Sequence, residues 1–149
     1  MVDVEPNAEL PAAGLKVTLG RVAVLEALTA HPHSSAESLN RMLRRTLPGI
    51  SVQSVHNVLA DLTTARLLRR IEPAGSAALY ERRIGDNHHH VICTDCSVVA
   101  DVDCVQGPAP CLAPNDTSGF DVSVAEVTFW GLCASCQEAP ANSFRTANK

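Results

Sequence analysis

Four cysteines stand in two pairs of identical spacing, Cys93-x-x-Cys96 and Cys133-x-x-Cys136. A C-x-x-C turn aims two soft thiolates at one point, and two such turns can close a tetrahedron about Zn²⁺ with bonds of about 2.3 Å. A dithiol redox centre or a set of buried thiols would each explain one pair better than two. The stretch from residue 88 to 138 is too short to gain more than about 3 to 5 kcal/mol from burial. A structural zinc adds an apparent 10 to 16 kcal/mol or so, so the metal rather than a core is expected to fold this part of the chain.

His88, His89 and His90 lie just before Cys93. In extended backbone residues 88 and 90 share one face and 89 points to the other, so two imidazoles can meet one ion. The same run taken alone also fits a solvated surface patch. Cys104 and Cys111 are left over once zinc takes four thiols. They are candidates for a redox pair, by reversible disulfide or attack on an oxidised neighbour, or else two inert thiols in a loop.

The elements that must position these residues can be read from caps and periodicity. Residues 1 to 14, with Pro6, Pro11 and Gly14, read as a loose arm. Thr18 caps a helix to about Ala30, with Leu19, Val22, Leu25 and Leu28 on one face, and Pro32 ends it. Ser34 and Glu37 have capping-box spacing for a second helix carrying Leu39, Leu43 and Leu47 inward, stopped by Pro48 and Gly49. Ser51 caps a third, with Val55, Leu59 and Leu62 inward and Gln53, His56, Asn57 and Ala60 outward. Leu67 to Ile71 and Ala77 to Arg82 read as a hairpin. Three helices and a hairpin predict a winged helix-turn-helix. Strands follow at His90 to Cys93, Val98 to Val102 and Val122 to Trp130.

Charge divides the chain at the same place. Of 149 residues, those from 16 to 83 hold ten Lys+Arg and five Asp+Glu, while those from 84 to 149 hold two and eight. A basic first half is drawn to polyphosphate; an acidic second half is suited to cations or protein partners. The expected class is therefore α+β: a winged-helix DNA-binding domain over 1–83, a hinge at 84–87, and a small, mainly strand metal-binding domain with a four-cysteine zinc site over 88–149. No apolar stretch reaches the roughly 18 residues of a membrane span and no basic, apolar leader opens the sequence, so a cytoplasmic protein is expected.

These motifs resemble the ferric uptake regulator family. The matching segments are NHHHVICTDC, WGLCASC, GLKVTLGR, HSSAES, SVQSVHNVLADL and LYERRIGDNHHH, and together they span about residues 14 to 137. ADVDC with APCL, AVLEALTAHPH and GDNHHH look most like the actinobacterial subgroup that controls catalase-peroxidase in response to oxidants. The resemblance implies a regulatory ion held by His33, Glu81, His88, His90 and Asp101. That mixed nitrogen and oxygen set suits Fe²⁺ or Mn²⁺. It also implies that the 88–149 domain is the dimerisation domain of a homodimer that represses transcription from a palindromic double-stranded DNA operator. Arg21, Gln53, Ser54, His56, Asn57, Arg69 and Arg70 are the candidate DNA contacts, the arginines positioning on phosphate and Gln53 and Asn57 suited to adenine edges.

The sequence departs from the family at three places. His56-Asn57 stands where Tyr-Arg is usual. Pro108, Pro110 and Pro114 fall where the family has a helix, so the dimer is expected to lean on strand pairing. Asn87 replaces a histidine of a third metal site, which leaves His89 without companions. Peroxide-tuned relatives have Asp where Glu81 stands, so iron sensing and peroxide sensing are both open. A zinc enzyme needs an open coordination position and a general base; a four-cysteine site is closed, and no enzyme is expected. The other alternative is a metal-buffering or docking module without DNA affinity.

Overall fold

The computed structural model describes residues 5–104 and 112–138, and it divides after Gly85 into two units. Cys111 lies outside the described residues.

The first unit contains α1 (Pro6–Ala12), α2 (Leu19–Ala30), β1 (Ser34–Ser35), α3 (Ala36–Leu43), α4 (Val52–Thr64), β2 (Arg69–Ile71) and β3 (Leu79–Glu81). Its core is aliphatic: Leu10, Val24, Leu25, Leu28, Leu39, Leu43, Val55, Leu59 and Leu62 are all buried, with Leu68 and Tyr80 from the hairpin. Thr18 accepts from the Arg21 N–H at the start of α2, and Ser51 accepts from the Ser54 N–H at the start of α4. Each hydroxyl thereby satisfies a backbone donor that has no helical partner. Asn40 Nδ2 donates to the Ile50 carbonyl at 3.2 Å, latching α3 to the turn that launches α4. The strands form a small antiparallel sheet in the order β1-β3-β2. This is a winged helix-turn-helix.

Four expectations are corrected here. Residues 6–12 form α1 rather than a loose arm: Pro6 sits in the first turn, where its missing N–H costs nothing, and Leu10 is fully buried. Leu19 is 78% exposed, and Val24 takes the inward place with Leu25 and Leu28. Ser35, not Ser34, caps α3 by accepting from Ser38, because Ser34 and Ser35 pair with Tyr80 and Leu79. The helix then stops at Leu43, short of Leu47.

The second unit holds β4 (His88–Cys93), β5 (Val99–Asp103), β6 (Thr128–Gly131) and α5 (Ala134–Glu138). Its sheet order is β5-β4-β6, with β5 antiparallel and β6 parallel to β4. The third strand is shorter than Val122 to Trp130, since only Thr128 to Gly131 pair with β4. Residues 112–127 contain no helix, in keeping with the proline-rich composition around them. Among the described residues of this unit, the buried apolar side chains are Ile92 and Cys93, and the other buried groups are His88, His89 and His90. That is a very small core.

Candidate metal centres and nucleic-acid interface

The sulfurs of Cys93, Cys96, Cys133 and Cys136 all lie within 4.8 Å of one another. The parallel pairing of β4 with β6 brings them together, placing Cys93 opposite Gly131. Thr94 N–H donates to the Gly131 carbonyl at 2.8 Å, and Cys133 N–H points at Cys93 Sγ at 3.4 Å. Ser97 N–H returns to the Cys93 carbonyl, with Ser97 at φ 62°, which tightens the first knuckle. α5 supplies Cys136, and Gln137 holds its first turn by donating to Leu132.

The geometry fits zinc. Cys96 Sγ and Cys133 Sγ are 3.7 Å apart, too far for a disulfide. That separation matches the edge, about 3.8 Å, of a tetrahedron with bonds of about 2.3 Å. The protonation pattern fits as well. The Cys133 amide, with those of Cys96 and Asp95, lowers the Cys93 thiol to about 6. The crowded sulfurs of Cys133 and Cys96 push Cys136 well above the usual thiol range. At Cys96 the Val98 amide pulls down, but Cys93 and Cys133 outweigh it and the net shift is upward. Four sulfurs so close resist becoming four anions unless a cation sits among them.

Nitrogen and oxygen donors collect in both units. In the first, Ser34 pairs with Tyr80, so the antiparallel register carries His33 to Glu81 one step further on. His33 Nε2 is 3.0 Å from Glu81 Oε2, and the Glu81 side chain is 1% exposed. His33 adopts φ 60°, a left-handed conformation that turns the chain from α2 into β1. Arg69 is the register partner of Glu81 on the other side, with Nε 3.8 Å from Oε1.

In the second unit His90 is the register partner of Asp101, and His88 of Asp103. His88 and His90 lie on one face, ring centroids 5.0 Å apart, with their Nε2 atoms 3.9 and 3.7 Å from Asp101 Oδ1. His89 faces the other way, against Phe129. Asp86 Oδ1 lies 2.5 Å from His88 Nδ1. A carboxylate there holds the proton on Nδ1 and leaves Nε2 as the donor atom. By sequence Asp86 belongs to the hinge, and its two-residue spacing from His88 is the signal of this pairing.

The candidate DNA contacts are dispersed. Gln53, Ser54, His56 and Asn57 lie on the exposed face of α4. Gln53 Nε2 donates to Asn57 Oδ1 at 3.0 Å, Ser54 Oγ is spent on Ser51 Oγ at 2.9 Å, and His56 Nε2 stands 3.8 Å from Glu37. Arg21 binds the Lys16 carbonyl at 2.8 Å and Asp61 at 2.7 Å, joining α2 to α4. Arg70 pairs with Glu72 at the surface, while Arg69 turns to Glu81. Cys104 is half-buried at the end of β5, its N–H donating to the Asn87 carbonyl.

A winged helix joined to a strand-rich unit with a four-thiol cluster defines a metal-binding transcriptional regulator. Residues 12–107 match the ferric uptake regulator family. The transcriptional regulator FurA of Mycobacterium tuberculosis is 53% identical over 128 residues, covering 86% of this chain and 87% of that protein. Among solved structures, the Vibrio cholerae ferric uptake regulator is similar with TM-score 0.65 and 26% identity, over 85% of this chain and 98% of that one. The Pseudomonas aeruginosa ferric uptake regulator, solved with manganese, is similar with TM-score 0.63 and 26% identity, over 90% and 99%. The chain belongs to the ferric uptake regulator family. Its relatives are regulators, and no described helix is long and apolar enough to cross a membrane.

Proposed function

We propose that this chain is a metal-dependent, redox-responsive repressor that binds a palindromic operator as a homodimer and controls peroxide-defence or iron-homeostasis genes. One observation carries the reading: a buried carboxylate, Glu81, is held against His33 by strand register. An enclosed acid beside an imidazole is well suited to hold a dication.

His33 and Glu81 supply two donors; His88, His90 and Asp101 supply three. The family resemblance assigns all five to one regulatory ion, Fe²⁺ or Mn²⁺. The Pseudomonas aeruginosa relative was solved with manganese, which supports the choice of metal. Zinc belongs with the four cysteines, where soft thiolates select it. Occupancy of the five-ligand set is the switch: the ion-loaded form is the one that binds the operator.

The exposed face of α4 reads the major groove, with Gln53 and Asn57 aimed at base edges and Arg21 and Arg70 at phosphate. Homodimerisation is supported by the edge strand β6, on which Phe129 and Trp130 are 48% and 49% exposed, a surface that a second copy covers. Bound ferrous iron supplies one-electron peroxide chemistry beside the histidines. His33 and His88 are then the residues open to oxidation, with Cys104 and Cys111 as the thiol alternative.

The test is operator binding by the zinc-loaded protein with and without added Mn²⁺. The expected result is a shift that needs the ion and is lost in His33→Ala, Glu81→Ala and His90→Ala. Three variants that all bind as the parent does would overturn the assignment.

A further inference from the structure

Glu81 has a second neighbour, Arg69, which is also among the candidate DNA contacts. Arg69 lies opposite Glu81 in the β2–β3 register, its Nε 3.8 Å from Oε1, while His33 takes Oε2. The Arg69 side chain is 23% exposed and that of Glu81 1%. Arg70, the next residue on β2, pairs with Glu72 at the surface, as alternation along a strand requires. A carboxylate so enclosed is costly as an anion unless a cation accompanies it. A guanidinium stays charged at every physiological pH. Arg69 therefore stands where it can offset the charge that a divalent ion would otherwise neutralise. Two cations on one carboxylate repel each other.

We propose that Arg69 is the internal counter-cation of Glu81, a positioning residue that competes with the regulatory ion and so sets the concentration at which that ion binds. The inference rests on the reading of Glu81 as an ion ligand. It removes Arg69 from the resting set of phosphate contacts and leaves that task on β2 to Arg70. It also explains how β2 responds to the ion: occupancy drives the guanidinium off the carboxylate.

The experiment titrates Mn²⁺ into the zinc-loaded full chain and follows free Mn²⁺ by its electron paramagnetic resonance signal, without DNA. Arg69→Gln is expected to tighten Mn²⁺ binding by about fivefold or more, the effect of a unit charge at such separations even with full water screening. Arg69→Met, which keeps the aliphatic stem packed, is expected to do the same, so that misfolding of one variant cannot imitate the result. Arg69→Lys retains the charge and stays near the parent. Unchanged or weaker binding in both neutral variants, with binding still abolished by Glu81→Gln, would overturn the competition. If Glu81→Gln binds Mn²⁺ like the parent, the ligand assignment itself fails and the inference falls with it.

Discussion

His33 and Glu81 face each other one residue beyond the last β1–β3 bridge, with Nε2 of the first 3.0 Å from Oε2 of the second. Two proposed ligands separated by 48 residues are thus fixed by a two-residue strand. The arrangement is held by backbone pairing rather than by side-chain packing alone. Lengthening the loop between α2 and β1 by one residue is expected to break the register and abolish Mn²⁺-dependent operator binding while leaving the α2–α4 core folded. Gel shifts and far-UV circular dichroism on the same sample check this.

Asp86 fixes the ring of His88 through Nδ1. Asp86→Ala is expected to weaken Mn²⁺ binding about 10- to 100-fold, the usual cost of removing a carboxylate behind a metal-binding histidine. Calorimetric titration measures it, and an unaltered affinity would show that His88 needs no such support.

The thiol cluster makes a sharper demand. Cys93→Ser and Cys133→Ser are each expected to lose zinc and unfold the second unit, leaving the first unit helical. Zinc content by mass spectrometry, with far-UV spectra and melting curves, reports both effects. Full zinc loss with an unchanged melting curve would show that the sheet stands without the metal.

The first unit is expected to behave as an ordinary aliphatic core. Leu59→Ala, at a fully buried position on α4, should cost about 2 to 5 kcal/mol. Ser51→Ala, which removes the cap of the same helix, should cost about 1 kcal/mol. Urea midpoints at constant slope give both values.

Peroxide treatment separates the two oxidant targets. With Fe²⁺ loaded, mass mapping is expected to find added oxygen on His33 or His88 and loss of operator binding; with Mn²⁺ loaded, neither. Modification confined to cysteines would exclude the histidine route.

Much of this was legible in the sequence because it depends on local spacing. The α4 face needs only Ser51 and the recurrence of Val55, Leu59 and Leu62, and the thiol cluster needs only two C-x-x-C turns. What escaped depends on contacts distant in sequence. Leu10 reads as part of a loose arm until the helices give it a pocket. Ser34 looked like a helix cap until Tyr80 claimed its backbone. Arg69 read as one more basic residue, because its partnership with Glu81 appears only when the hairpin register is known. The short span of β6 was hidden by an apolar run that continues on both sides of the four paired residues.

The scarcity of enclosed hydrocarbon around Ile92 and Cys93 reaches beyond architecture. A polypeptide made during zinc starvation would carry a finished reading head tethered to a tail with nothing to organise it, and such tails are what cellular proteases remove. Zinc supply would then govern how many copies of the regulator survive, upstream of any signal those copies are there to sense.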